Sequence, residues 1–409
     1  MSTGGRAIPR LQDLSYFEVA LEGVRQGLSF EDIRKALVGR ARDLDREADL
    51  EGSFDDAKWE RRRRDPREHV SNAVEVLKET MRLGWVERRI LPSGPDSSYL
   101  HSEQRFALLP PGRDWADLVL RDRPAAYNVL AGVLVEAHPQ LEGFLKALGA
   151  RPDSPSQSFT IPLLRWDPER HLSEDVYLED LVQVVVAAVR AGKTGWTDDA
   201  STIDRDIRGY VQRIRARRAA RDKTQTRKEF LKTCEEAVTK VAFAATGCPI
   251  DYISMELMRR WARFLGVGNF SYYAPGPYAL RLWGTGTLDG AGHEVAITRR
   301  IGPGIRQQVL AELLDVWQER RATSPATMYA PVWELRAAVC WRLRIADTEW
   351  DKAINELLHG AHNALPYRVH LDQASLGPPP RSTRPLVLQG PSGARIYNVM
   401  TLIQHKENR

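Results

Sequence analysis

The sequence predicts a mainly α protein with short β-hairpins, divided into several domains. Apolar residues recur at helical spacing through most of the chain, which is typical of amphipathic helices. In three places such helices are followed by short strand-like runs around turns rich in Gly, Pro and Ser. With 409 residues, 43% of them hydrophobic, the chain can bury cores for two to four domains.

The first predicted domain covers residues 1–119 and begins with two helices. Residues 14–27 have apolar side chains at helical spacing, and Ser29 precedes a second helix as N-cap, with Asp32 at the capping-box position. A charged insertion over residues 42–64 separates these helices from a third. The run at residues 65–85 predicts this third helix, which Gly84 ends. Its predicted outward side chains are Arg67, Ser71, Asn72, Lys78 and Arg82.

Two strands follow the third helix, at residues 85–92 and 102–110, around the turn-rich run "SGPDSS". Leu83-Gly84, the strand around Arg88, and Arg105-Phe106-Ala107-Leu108 before Gly112 make this segment similar to the MarR and PadR winged-helix regulators. The resemblance implies that the third helix enters the major groove and that the wing contacts the DNA backbone. It assigns DNA contacts to Arg67, Ser71, Asn72 and Lys78 in the helix and to Arg88 and Arg89 near the wing.

Base reading by this helix is expected to be weak, because it also carries Glu68, Glu75 and Glu79, and acids repel phosphates.

Residues 120–227 are predicted to form a helical middle domain that ends in a basic helix, with Ser201 as its N-cap.

Positive charge is concentrated in two blocks. Between Arg205 and Lys228 there are ten Lys or Arg residues against two acids, a local charge of +8, so the rest of a chain with net charge +5 sums to −3. A second block, Arg61, Arg62, Arg63, Arg64 and Arg67 against one Asp, carries +4. Such patches are typical of proteins that neutralise phosphates at defined places. Within the basic helix the candidate DNA contacts are Arg208, Arg213, Arg215, Arg217, Arg218 and Arg221. A basic bridging helix that contacts acidic neighbours is the alternative.

Two further winged-helix-like domains are predicted, over residues 228–300 and 301–409. In the second domain the helix at residues 251–268 is expected to present Arg259, Arg260 and Arg263 outward, and Tyr272 and Tyr273 to pack rather than stack on bases. In the third domain the corresponding helix carries Asp347, Glu349, Asp351 and Glu356 against Lys352, which favours a protein-facing or structural role.

No catalytic or metal-binding pattern emerges. "RAGKT" at residues 190–194 lacks the first Gly of a phosphate-binding loop and is typical of a helix end with Gly192 as C-cap. His359 and His362 have no completing zinc ligands at a recognisable spacing, and the three cysteines are expected to be reduced core thiols. We therefore expect no cofactor and no enzyme activity, although a nuclease site of scattered carboxylates stays open. The chain has no predicted membrane span or signal peptide, so a cytoplasmic location is expected.

The sequence as a whole predicts a tandem winged-helix protein with a helical middle domain. Its expected activity is non-enzymatic binding of double-stranded DNA, mainly through phosphate contacts. Three such domains exceed what a simple repressor needs, so a component of a larger DNA-processing, chromosome-maintenance or phage-defence assembly is expected by analogy. The alternatives are a protein-interaction scaffold, with partners bound through the third domain, and a transcriptional regulator. The oligomeric state is left open.

Overall fold

The computed structural model is mainly helical, with short antiparallel sheets, as the sequence predicts. It describes residues 8–48, 57, 60, 70–89, 100–151, 158–196, 199–221, 225–248, 250–272, 278–291, 294–299, 304–324, 328–359, 367–373, 386–390 and 393–404. The chain divides into two compact units. The first comprises residues 1–142, 289–297 and 379–387, and the second comprises residues 143–288, 298–378 and 388–409.

The first compact unit contains five helices and a hairpin among its described residues. These are α1 (Tyr16–Arg25), α2 (Phe30–Ala48), α3 (Val70–Arg82), β1 (Val86–Arg88), β2 (Phe106–Leu108), α4 (Pro110–Arg121) and α5 (Arg123–Ala137). The predicted cap of α2 is confirmed, since the Asp32 N–H donates to Ser29 Oγ at 3.3 Å. The hairpin is antiparallel with Val86 opposite Leu108, and its strands are three residues long, shorter than the sequence predicts.

Aromatic packing holds the hairpin of the first unit against its helices. The rings of Trp85 and Trp115 lie 5.4 Å apart, and Trp115 Nε1 donates to the Ala126 carbonyl at 2.7 Å. Gly112 makes this packing possible, because a Cβ at that position would lie 2.2 Å from the Trp85 carbonyl oxygen. Phe17 of α1 also contacts Trp85, with ring centroids 6.1 Å apart and the rings edge to face.

The second compact unit contains two helix-and-sheet segments. The elements up to residue 299 are α6 (Pro139–Ala147), β3 (Ser158–Pro162), α7 (Glu174–Arg190), α8 (Ala200–Ala219), α9 (Arg227–Ala244), α10 (Tyr252–Leu265), β4 (Gly268–Ser271), β5 (Ala279–Gly284), β6 (Gly286–Ala291) and β7 (Glu294–Arg299). The remaining elements are α11 (Ile305–Thr323), β8 (Ala330–Pro331), α12 (Val332–Leu343), α13 (Asp347–His359), β9 (Tyr367–Asp372), β10 (Leu386–Gly390), β11 (Gly393–Tyr397) and β12 (Val399–Gln404). The division between the units falls within α6, β6, β7 and β10.

The two three-stranded sheets of the second unit share one topology. In each, a short strand precedes a pair of helices, two more strands follow the helices, and the last strand lies in the centre. The strand orders are β3-β5-β4, around the helix pair α9 and α10, and β8-β12-β9, around α12 and α13. In the first sheet, α7 and α8 stand between the short strand and the helix pair. The sequence pattern predicts winged-helix-like domains over residues 228–300 and 301–409, but it predicts neither β3 nor β8.

Local signals set the bounds of the helix that leads into β4. The Asp251 carboxylate accepts the Ser254 N–H at 3.0 Å and caps the start of α10. Gly266 ends the helix with a φ of 75°, a left-handed conformation that favours glycine. No helix in the described ranges is both long and apolar enough to cross a membrane.

Candidate nucleic-acid interface

The basic helix α8 begins at a different cap from the one predicted. The carboxylate of Asp199 accepts the N–H groups of Ser201 and Thr202 at 3.1 and 3.2 Å, together with the Ser201 hydroxyl at 2.6 Å. These hydrogen bonds lower the pKa of Asp199 to about 2. The expectation that Ser201 is the N-cap is therefore wrong, because Ser201 lies inside the helix and donates to the residue that caps it.

The apolar face of α8 packs against both α7 and α9. Its buried residues are Ile203, Ile207 and Val211, spaced four apart along one side of the helix. This packing leaves the arginines of α8 either at the helix–helix boundaries or on the solvent side, and the two groups differ in their partners.

Arg215 lies at the boundary with α7. Its guanidinium donates to Asp175 at 2.6 Å and to Glu174 at 3.0 Å, and the same group lies 4.9 Å from the ring centre of Phe230 on α9. The two carboxylates raise the pKa of Arg215 against the opposing effect of burial. Arg215 thus links α8 to both neighbouring helices.

Arg208 and Arg218 are paired in the same way. Arg208 forms ion pairs with Glu179 on α7, at 2.7 Å, and with Asp204 of its own helix. Arg218 forms an ion pair with Glu229 on α9 at 3.0 Å. The positive charge of Arg208, Arg215 and Arg218 is therefore explained by the alternative of a basic helix that contacts acidic neighbours. Each of these guanidinium groups pairs with carboxylates of the same fold.

Of the other arginines in this segment, Arg205 is exposed but pairs with the adjacent Asp206 at 3.1 Å, and three more are exposed. We call Arg213, Arg217 and Arg221 the arginine stripe. Arg213 and Arg217 lie one helical turn apart on the same face, and Arg221 follows in the turn that ends the helix. Within the described part of the chain, no carboxylate lies at ion-pair distance from any of these three side chains. The stripe can therefore offer three guanidinium groups to an external anion.

The structure adds a lysine that the sequence analysis missed. Lys240 on α9 is exposed, and its Nζ lies 5.4 Å from the ring centre of Tyr210. Burial and the charge of Glu236 raise the pKa of Tyr210, and the charges of Arg213 and Arg217 oppose that rise. Lys240 thus lies near the stripe although it belongs to another helix, a proximity that helical periodicity alone does not predict.

Arg259 does not point outward as predicted, and that expectation is wrong. Its side chain is 2% exposed, pairs with Glu256 at 2.6 Å and donates to the Tyr272 hydroxyl at 3.1 Å. Its guanidinium lies 4.2 Å from the ring centre of Phe270. Tyr272 therefore packs on the helix, as the sequence analysis favoured, whereas Tyr273 lies outside the described residues.

Arg263 also contacts a side chain of the second unit. It forms an ion pair with Asp347, whose other carboxylate oxygen accepts the Asn269 side-chain amide at 2.9 Å. Its expected outward position is therefore wrong, while Arg260 is half-buried.

The acids of α13 have similar internal partners. Asp347 pairs with Arg263, Asp351 lies 3.1 Å from Arg336, and Glu349 lies 3.4 Å from Lys352. These contacts favour the structural role over the protein-facing one.

In the first unit, the structure describes the side chains of only some of the residues predicted to contact DNA. Lys78 on α3 and Arg89 after β1 are exposed, whereas Arg88 Nε donates to Gln104 Oε1 at 2.8 Å. Ser71 and Asn72 belong to α3, and the structure describes no more of them than the helix. The basic block Arg61, Arg62, Arg63, Arg64 and Arg67 lies outside the described residues.

Two further residues of α3 differ from the sequence expectation. Glu79 is buried and lies 3.0 Å from His138 Nε2, and Arg82 forms an ion pair with Glu79 instead of pointing freely outward. Hydrogen bonds from His138 and Arg82 lower the pKa of Glu79 against the effect of burial. Glu79 therefore does not repel phosphates from the outward face of α3.

Other candidate sites were also located. Helix α7 ends at Arg190, and Gly192 follows with a φ of 65°, so "RAGKT" is a helix end as predicted. His359 is the last residue of α13, and His362 lies outside the described residues. The described residues include no group of three or more His, Cys, Asp or Glu placed to hold a metal ion.

Comparisons with known proteins identify no relative. Neither a protein-family model, nor a curated protein, nor a solved structure matches the chain.

Proposed function

We propose that this protein binds double-stranded DNA without catalysing a reaction, as a component of a larger DNA-processing, chromosome-maintenance or phage-defence assembly. The affinity comes mainly from phosphate contacts, and base specificity is weak. The main contact is the arginine stripe of α8, and the helix-and-hairpin segments act as winged helices that set the orientation of the protein on the duplex.

The observation that carries this proposal is the division of the α8 arginines into two groups. Arg208, Arg215 and Arg218 have carboxylate partners that explain their presence. Arg213 and Arg217 have none among the described residues and occupy the solvent face. A planar guanidinium donates paired hydrogen bonds to phosphate oxygens, so an exposed row of them suits a nucleic-acid backbone.

Two features support the winged-helix part of the proposal. In the first unit, α3 is followed by the β1–β2 hairpin and then by α4, the order on which the resemblance to MarR and PadR regulators rests. In the second unit, two helix pairs are each followed by a strand pair, with the same strand order in both sheets. Two internal copies of one topology favour a tandem architecture.

The scaffold alternative loses its main support. It rested on the acidic α13, but three of the four acids there pair with basic residues of the same unit. Glu356 is the exposed exception. Internal ion pairs account for most of this charge without a partner protein.

The test is fluorescence anisotropy with a labelled random duplex across a salt series. Each neutralised phosphate contributes about −0.9 to the slope of log K against log salt, so the stripe accounts for about −2.7. The triple variant R213Q/R217Q/R221Q should lose that part of the slope. The charge-matched control R306Q/R321Q/K352Q, on α11 and α13, should keep it. Absence of binding by the wild type at low salt, or equal slopes in both variants, would refute the proposal.

A further inference from the structure

Tyr210 of α8 lies on the same face of the helix as the arginine stripe. It precedes Arg213 by three residues and Arg217 by seven, and both spacings place side chains on one side of a helix. With a rise of about 1.5 Å per residue, the row from Tyr210 to Arg217 extends about 10 Å along the helix axis. The next position of this row therefore carries a phenol instead of a cation.

The neighbouring helix α9 supplies a cation at that position. Lys240 is exposed, and its Nζ lies 5.4 Å from the centre of the Tyr210 ring. An aromatic ring attracts an ammonium group at this distance. The ring therefore holds the ammonium group of Lys240 close to the stripe, although the lysine belongs to another helix.

The charges of the stripe also act on Tyr210. Burial and the charge of Glu236 raise the pKa of Tyr210, whereas the charges of Arg213 and Arg217 oppose that rise. Both guanidinium groups therefore lie near the Tyr210 hydroxyl, because water and salt screen distant charges. Lys240 and the first two arginines of the stripe are thus close to one side chain.

Two acids lie near the same tyrosine, and both have other partners. Glu236 forms an ion pair with Lys232 of its own helix at 3.8 Å. The Asp251 carboxylate caps α10, where it accepts the Ser254 N–H at 3.0 Å and the Ser254 hydroxyl at 2.6 Å. Across the ranges that the structure describes, no carboxylate lies at ion-pair distance from Lys240. The lysine can therefore offer its charge to an external anion.

We infer that Lys240 is a fourth phosphate ligand of the DNA-contact surface and that Tyr210 is its positioning residue. The contact surface then crosses from α8 onto α9. This inference rests on the proposed function and deepens it, because it adds a ligand on a second helix to the three arginines. An ammonium group is a point charge without the fixed fork of a guanidinium, so Lys240 adds affinity for the backbone and no base preference.

The first experiment measures the salt dependence of duplex binding by the Lys240→Gln variant of the full chain. Fluorescence anisotropy with a labelled random duplex gives the slope of log K against log salt. Loss of one phosphate contact should make that slope shallower by about 0.9. The matched control is Lys352→Gln, which removes an exposed lysine of α13 and should keep the wild-type slope.

The outcomes separate this inference from the proposed function. Equal slopes for K240Q and the wild type, with a shallower slope for R213Q/R217Q/R221Q, would overturn the role of Lys240 and leave the stripe as the DNA contact. A lower Tm of K240Q with an unchanged slope would also overturn it, because a lysine that only packs on Tyr210 affects stability alone. Absence of duplex binding by the wild type would refute the proposed function and, with it, this inference.

The second experiment tests the positioning role of Tyr210. Tyr210→Phe keeps the ring and should bind the duplex like the wild type. Tyr210→Leu removes the ring and should bind about two- to fivefold more weakly, the size of an exposed contact between a cation and a ring. In the K240Q background, Y210L should cause no further loss, because the lysine that the ring holds is absent. Equal affinities of Y210F and Y210L, or the same loss in both backgrounds, would contradict the positioning role.

Discussion

Replacing Asp347 with alanine is expected to lower the free energy of unfolding by about 3 kcal/mol. The carboxylate holds Arg263 and accepts the Asn269 amide at 2.9 Å, and its side chain is 11% exposed. A hydrogen bond to a charged group contributes about 1.5–3 kcal/mol and a neutral donor about 1 kcal/mol. Removing Asp347 also removes the ion pair that it forms with the Arg263 guanidinium. Because Arg263 is 23% exposed, water offsets part of the loss of the ion pair. The expected loss of unfolding free energy therefore stays near the sum of the two hydrogen-bond contributions.

Urea denaturation followed by circular dichroism measures this change. With an m value of about 3 kcal/mol per molar, the midpoint should fall by about 1 M. Glu356→Ala, in the same helix but exposed, is the matched control and should change stability by less than about 0.5 kcal/mol. Equal midpoints for the two variants would refute the reasoning. So would simple additivity of D347A and R263M, because residues in one ion pair should couple. R263M should leave the salt slope of DNA binding unchanged.

Three further substitutions test the local arguments. Gly209→Ala should stabilise α8 by about 0.5–1 kcal/mol, because the new methyl would meet only the Arg213 guanidinium, at 3.5 Å; a lower Tm would contradict this. Gly112→Ala should lower Tm strongly, since the methyl group added at position 112 would collide with the Trp85 carbonyl oxygen. Asp199 has a pKa depressed to about 2 from about 3.9 when unfolded, so its stabilising effect is present above pH 4 and is lost as pH falls towards 2. Asp199→Asn should keep the cap and flatten that part of the pH profile of Tm, whereas an unaltered profile would exclude Asp199 as its source.

Helix positions were predictable because their signals are local. The Thr226 hydroxyl accepts the Glu229 N–H while the Glu229 carboxylate accepts the Thr226 N–H, so both halves of a capping box stand within four residues at the start of α9. Gly266, immediately after α10, ends that helix in the same local way. Strand β3 was missed because its pairing partner is distant in sequence, with Thr160 opposite Arg281.

The roles of the arginines were only partly predictable. Periodicity separates apolar from polar positions, but it does not identify the group across the helix boundary. Arg215 finds its carboxylates about 40 residues earlier, on α7, and Arg259 is covered by Phe270 and Tyr272 from β4. Charge alone therefore drew attention to α8, whereas the division of its arginines into paired and exposed ones required the tertiary structure.

The central position of β5 affects how fast this protein folds and which truncated fragments of it can fold. Its two neighbours are β4, which reaches it through a short connection, and β3, which precedes it by four helices. Contacts between residues so distant in sequence slow folding, since a long loop must close first. A fragment starting at residue 228 would contain β5 but not β3, and would expose one side of β5 as an open edge. Open strand edges pair with other chains, so such a fragment should aggregate more readily than the whole chain.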